Sequence, residues 1–171
     1  MSKLAFIFPG QGAQKAGMGK DFYENSEAAR SFFDQAQKIL DFDLKEMCFG
    51  EHEELNLTEY TQPCMVSVCL AIVRELKKRG INPDITAGLS LGEYAAVAAA
   101  GGMNELDAIK LVRRRGILMQ STVPAGEGAM AAVLGLDAKK IEEILESFEN
   151  VWIANYNCPG QIVITGLTNE V

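Results

Sequence analysis

The order of apolar and polar positions in this 171-residue chain predicts alternating strands and helices. "KLAFIFPGQGAQ" reads as a strand running into a glycine-rich turn. Residues 24–40 read as a helix with Ala28, Phe32, Ala36 and Ile39 on one stripe. From about Gln62 to Arg79 the pattern predicts a strongly apolar helix carrying Met65, Val66, Val68, Cys69, Ile72, Val73 and Leu76. Its last turn holds Lys77, Lys78 and Arg79, which suit the negative end of the helix dipole, and Gly80 follows as a stop. "INPDITAG" gives a turn and a second strand, and "LGEYAAVAAAGG" a short helix of small residues. Asn104 is placed to cap a further helix that runs to about Gln120. Strand–helix alternation of this kind signals an α/β fold with a parallel sheet.

After "VPAGEGA" the style changes. "MAAVLGL" reads as a strand, "DAKKIEEILESF" as an amphipathic helix starting at Asp137, and "VWIANYN" and "QIVITGL" as two strands joined by "CPG". A ferredoxin-like unit would extend this β-α-β-β run by α-β. The sequence stops at "TNEV", so it reads as a fragment of something longer; the alternative is a small cap complete in itself.

Composition narrows the classes. The net charge of −7 and the lack of a dominant basic stripe argue against general nucleic-acid binding. Basic clusters at 74–80 and 110–116 read as solvated helix faces, or as a docking face for a phosphate or an acidic partner. No apolar run approaches the roughly 20 residues that cross a bilayer. The N-terminal run is too short for a signal peptide and is broken by Pro9-Gly10. Cys48, Cys64, Cys69 and Cys158 form no CxxC pair and read as small buried hydrophobes in a reducing, cytoplasmic compartment. The first glycine-rich turn is neither a dinucleotide fingerprint nor a P-loop, since Met18 stands where lysine is required.

The chemistry concentrates in "ITAGLSLGEYAA", residues 85–96. Ser90 lies between Gly88 and Gly92, after a strand and before a helix, which is the context of a nucleophile elbow. The turn is sharp enough that side chains at the flanking glycines would strike backbone, and the Leu91 N–H falls at a helix N-terminus, facing a developing oxyanion. The alternative is a serine that merely caps a tight βα turn. Arg115 is the second anchor. Ala108, Leu111, Arg115 and Leu118 recur at helical spacing, which puts Arg115 on an apolar stripe while Lys110, Arg113 and Arg114 face water. An unpaired desolvated guanidinium costs roughly 3–5 kcal/mol. Its anion is either internal, such as Glu93 or Asp84, or a substrate carboxylate held by two parallel hydrogen bonds.

"FPGQGAQ" at 8–14, "GLSLGEY" at 88–94, "RRRGILMQ" at 113–120, "GAMAAVLGL" at 128–136 and "NYNCPGQIVITG" at 155–166 together resemble the malonyl-CoA:acyl carrier protein transacylases. The resemblance extends to the acyltransferase domains of fatty acid and polyketide synthases. It implies a fold: an α/β-hydrolase-like core over residues 1–126 and a partial ferredoxin-like subdomain over 127–171. It also implies a reaction of cytoplasmic fatty acid biosynthesis. A serine takes the malonyl group from coenzyme A as an ester, and the phosphopantetheine thiol of acyl carrier protein then receives it. By this resemblance Ser90 is the nucleophile, the backbone N–H groups of Gln11 and Leu91 form the oxyanion hole, and Arg115 holds the malonyl carboxylate. No metal or bound cofactor is implied; the partners are malonyl-CoA and acyl carrier protein, with no nucleic acid and no membrane.

Two departures stand out. The family usually has histidine where this chain has Leu89, which implies altered elbow packing rather than lost chemistry. The family's catalytic histidine lies beyond the ferredoxin-like unit, so the chain is expected to lack it. The one histidine present, His52 in "FGEHEEL", lies far upstream in a segment that reads as a surface loop feeding a helix, and it is not read as the base. Two rival functions follow: a serine thioesterase or esterase with the same elbow, and a non-catalytic module that binds coenzyme A or acyl carrier protein.

Overall fold

Phe8 stands opposite Gly88 at the end of a parallel strand pair, and this pairing sets the position of the candidate site. The computed structural model describes residues 3–122 and 126–171. β1 (Ala5–Phe8) and β2 (Ile85–Gly88) run side by side from Ala5 opposite Ile85. Four helices and a 3₁₀ turn separate them: α1 (Lys20–Asn25), α2 (Glu27–Gln37), α3 (Leu44–Phe49), the 3₁₀ turn Glu53–Asn56, and α4 (Thr58–Lys78). After β2 come α5 (Gly92–Ala99) and α6 (Glu105–Thr122). Asn104 caps α6 through its side chain, 2.9 Å from the Leu106 N–H.

The single helix expected over 24–40 is two helices. Ser26 is extended at φ −128°, and its hydroxyl accepts the Ala29 N–H, so it ends α1 and caps α2. Rephasing moves the buried stripe from Ala28 to Ala29, Phe32, Phe33 and Ala36. The long helix begins at Thr58 rather than near Gln62, with Pro63 inside it. Proline there removes the N–H that would bond the oxygen of Glu59. Arg113 of α6 supplies the missing donor, 2.8 Å from that oxygen, so the helix tolerates the proline and extends back one turn. Gly116 lets α6 approach: a Cβ there would lie 2.7 Å from the Glu59 Cα and 2.8 Å from the Thr58 oxygen.

α4 packs against α2 and α5, and their buried faces supply Phe32, Phe33, Val66, Leu70, Val73 and Ala95. Ile109 and Val112 of α6 and Leu44 of α3 complete this core. Each large apolar side chain so removed from water stabilises the fold by about 1.5–3 kcal/mol. The four cysteines are free; Cys48 and Cys64 are buried, but Cys69 is only half-buried and Cys158 is exposed, which corrects the expectation that all four are core hydrophobes. Hydrogen bonding with Cys48, and then burial, push the Cys64 thiol strongly upward, so it stays protonated.

The chain divides into two compact units, Met1–Gln120 and Ser121–Val171. In the second, β3 (Gly128–Leu134), α7 (Ala138–Leu145), β4 (Val151–Cys158) and β5 (Gln161–Leu167) form a three-stranded sheet of order β3-β5-β4 with antiparallel neighbours. Asp137 caps α7 by accepting the Lys140 N–H at 2.9 Å. Ile141, Val151 and Ile162 are this unit's small buried centre.

Candidate active site

Ser90 has φ +49°, the one non-glycine residue with positive φ among the described residues. That conformation costs an L-residue roughly 1–2 kcal/mol, so the surroundings must impose it. The neighbouring backbone does so. A Cβ on Gly88 would lie 2.1 Å from the carbonyl carbon of Gly92, and one on Gly92 would lie 2.4 Å from the oxygen of Phe8. The Leu89 N–H extends the strand ladder by donating to that same Phe8 oxygen at 3.1 Å. Leu91 is 1% exposed and anchors the far side of the bend. Ser90 is left exposed between these fixed points, with no protein partner for its hydroxyl among the described residues.

The turn after β1 packs onto this bend. A Cβ on Gly10 would lie 2.9 Å from the Leu89 oxygen and 3.4 Å from its Cγ. Gln11 follows directly, so the close contact at Gly10 carries it to the elbow. Among the described residues, neither the Gln11 nor the Leu91 backbone N–H donates to a protein acceptor. Both are free to meet an oxyanion. The loop is pinned from the start of α4 and the 3₁₀ turn before it: Thr58 Oγ1 donates to Gln11 Oε1 at 2.9 Å, and Gln14 Nε2 donates to Asn56 Oδ1 at 3.2 Å.

Arg115 is half-buried rather than sunk in an apolar stripe. The core face of α6 is Ala108, Ile109, Val112 and Gly116, while Leu111 and Leu118 are 45% and 50% exposed. The core face is rotated because Gly116, and not a leucine, makes the closest approach to α4. Neither expected internal anion serves it. Asp84 accepts the Leu4 N–H, Glu93 is exposed, and no carboxylate pairs with Arg115 among the described residues. Its Nη1 instead donates to Gln62 Oε1 at 2.7 Å, and its guanidinium lies 5.6 Å from the centre of the Tyr94 ring. Tyr94 sits in the first turn of α5, so the cation is held over the helix that Ser90 precedes.

Arg113, expected in water, is 12% exposed. It donates to both carboxylate oxygens of Asp41 at 2.9 Å and lies 5.2 Å and 5.0 Å from the Phe42 and Tyr60 ring centres. Most of the other basic residues are also engaged: Lys77 on the Ala99 oxygen, Lys78 on Glu27, Arg79 on Glu75, and Lys110 on Asp107. His52 Nε2 lies 3.0 Å from Glu46 Oε1, at the start of the 3₁₀ turn.

Sequence reasoning missed Gln62, Thr58 and Tyr94. Thr58 and Gln62 lie one turn apart at the head of α4, where Glu59 and Thr61 are polar too, so spacing alone did not single them out.

Comparison with known proteins then decides the family. The family described as Acyl transferase domain matches residues 5–171. The chain belongs to it. Among relatives of this acyl transferase domain is the malonyl CoA-acyl carrier protein transacylase of Bacillus subtilis (strain 168), 48% identical over 100% of this chain and 56% of its own length. A crystal structure of the malonyl CoA-acyl carrier protein transacylase of Clostridium perfringens superposes with TM-score 0.89 at 45% identity, covering 98% of this chain and 54% of that one. A type II PKS acyl-carrier protein in complex with its malonyl-transacylase aligns at TM-score 0.88 and 39% identity, covering 98% of this chain and 56% of the transacylase. The chain spans about half the length of the relatives it matches.

Proposed function

We infer that this acyl transferase domain moves a malonyl group from coenzyme A to the phosphopantetheine thiol of acyl carrier protein, in fatty acid biosynthesis in the cytoplasm. The observation that carries the reading is Ser90, exposed and held at φ +49° by glycines that nothing larger can replace. In the proposed first step Ser90 Oγ bonds to the thioester carbonyl carbon, the carbon–sulfur bond breaks, and coenzyme A leaves as its thiol. The Oγ proton passes to a base and on to the leaving sulfur. The oxyanion meets the free N–H groups of Gln11 and Leu91, donors of a kind worth roughly 3–4 kcal/mol each in such steps. The phosphopantetheine thiol then attacks the malonyl-serine ester and restores Ser90. We assign the base to the part of the relatives that this chain does not span, because no described side chain bonds Ser90 Oγ and His52 is engaged by Glu46.

Arg115 is proposed to clamp the malonyl carboxylate. It lacks a carboxylate partner among the described residues, which favours a diacid half-thioester over the neutral acyl groups of a thioesterase. The mechanism needs no metal or bound cofactor. No described helix is long and apolar enough to cross a membrane. The finer fold assignment is also proposed here. β3 and β4 run parallel with β5 between them and α7 joining them, which supports a partial ferredoxin-like unit. The parallel β1–β2 pair leading into the elbow supports an α/β-hydrolase-like core.

Acyl transfer from malonyl-CoA and from acetyl-CoA, compared for the wild-type chain and Arg115→Ala, tests the reading. Malonyl transfer should lead, and Arg115→Ala should lower it about 10–100-fold with acetyl transfer spared. An acetyl preference, or malonyl transfer undiminished by Arg115→Ala, would defeat it.

A further inference from the structure

Three hydrogen bonds run in one direction from Arg115 to the loop of Gln11. Arg115 Nη1 donates to Gln62 Oε1 at 2.7 Å, Gln62 Nε2 to Thr58 Oγ1 at 2.8 Å, and Thr58 Oγ1 to Gln11 Oε1 at 2.9 Å. The direction is fixed by chemistry. A guanidinium has only donors, so the Gln62 amide must turn its oxygen to Arg115. Gln62 is fully buried, and no water competes for it. Its NH₂ then faces Thr58, whose oxygen accepts one hydrogen, with the other directed at Met119 Sδ 3.4 Å away. The Thr58 hydroxyl has a single hydrogen, left free for Gln11, whose amide must present its oxygen in return. One cation thereby sets the orientation of two amides and one hydroxyl, and such chains polarise cooperatively. The frame around them is rigid. Thr58 N–H bonds Gln120 Oε1, and Gly116 presses α6 against the Thr58 and Glu59 backbone.

We propose that Thr58 and Gln62 are positioning residues that couple the carboxylate clamp at Arg115 to the oxyanion donor at Gln11, so that occupation of the clamp adjusts the Gln11 backbone N–H. This rests on the roles proposed above for Arg115 and Gln11. Coupling of this kind confers selectivity beyond what a guanidinium alone gives. A neutral acyl group leaves the relay in its resting state. A diacid draws charge from Arg115, weakens its bond to Gln62, and passes the change along the chain.

The test is amide and arginine Nε–H NMR of the 171-residue chain titrated with malonate, with acetamide as the control that carries no carboxylate. In wild type, malonate should shift both the Arg115 Nε–H and the Gln11 backbone N–H, and acetamide should shift neither. In Thr58→Val the Arg115 shift should persist and the Gln11 shift should be lost. Thr58→Ser, which keeps the hydroxyl, should restore it. Gln62→Leu breaks the chain from the other end and should give the same loss at Gln11, which keeps the test informative if one variant folds poorly. A Gln11 shift of wild-type size in both Thr58→Val and Gln62→Leu overturns the relay and leaves the clamp standing. Absence of any Arg115 shift at saturating malonate overturns the clamp, and the coupling with it.

Discussion

Arg113 donates at 2.8 Å to the backbone oxygen of Glu59, the oxygen that Pro63 leaves without its helical donor. The same guanidinium pairs with Asp41 and Glu59 and lies close to the rings of Phe42 and Tyr60. It ties α6 to the start of α4, which carries Thr58 and Gln62. Arg113→Ala should therefore destabilise the chain by about 2–3 kcal/mol in urea unfolding. Arg113→Lys should recover little of this, because an ammonium cannot make the bidentate fork. Loss below about 0.5 kcal/mol would mean that the helix does not depend on the borrowed donor.

The Arg113–Asp41 pair also sets a pH dependence. Hydrogen bonding from Arg113 holds the Asp41 carboxyl below its usual range. A depressed folded-state value contributes stability that is present above the unfolded-state value of about 3.9 and is lost as pH falls through the lower folded value. Wild type should thus lose stability more steeply than Asp41→Asn as the pH drops below about 4. Equal slopes in the two proteins would remove Asp41 from the account.

The elbow predicts a contrast among glycines. Gly88→Ala and Gly92→Ala drive a methyl into backbone at 2.1 Å and 2.4 Å and should cost more than about 3 kcal/mol or prevent folding. Gly101→Ala has open space at φ +83° and should cost only about 1–2 kcal/mol. Chemical denaturation of the three variants ranks them directly.

Ser90 itself should show a trade of stability against chemistry. Ser90→Gly relieves the strained backbone and should be about 1 kcal/mol more stable than Ser90→Ala, which keeps the strain. Neither variant should accept an acyl group. Equal thermal stability of the two would mean that φ +49° is not strained in this setting.

The site was more legible in the sequence than the helices that support it. G-x-S-x-G after a β-branched run points to one backbone geometry, and the structure has it, because steric exclusion by Gly88 and Gly92 is a local effect. The order of the strands and the longer helices also followed from local periodicity, whereas α3 and the 3₁₀ turn after it were not expected. Register across helices did not. The split at Ser26 depends on its hydroxyl also reaching Glu75, a contact 49 residues away. The burial of Arg113 depends on Asp41, 72 residues upstream, and its bond to the Glu59 oxygen that Pro63 leaves free has no trace in spacing. Gln62 reveals its role only when its partner Arg115 on α6 is known, 53 residues away.

No described side chain lies beside Ser90 as a base, and this makes a kinetic prediction. General acid–base assistance is typically worth 10²–10⁴-fold, so turnover by the 171-residue chain should fall below that of a full-length relative by roughly that factor. Supplying the remaining segment of such a relative in trans should raise the rate. Comparable turnover by the unaided chain would show that Ser90 needs no histidine.

The central claim is that Ser90 forms a covalent ester. Intact-mass spectrometry with peptide mapping, after prolonged incubation with malonyl-CoA, reads this directly. The account predicts one malonyl adduct, on the peptide holding Ser90, and none in Ser90→Ala. An adduct on another residue, or tight malonyl-CoA binding with no adduct even when the remaining segment is supplied, would contradict it.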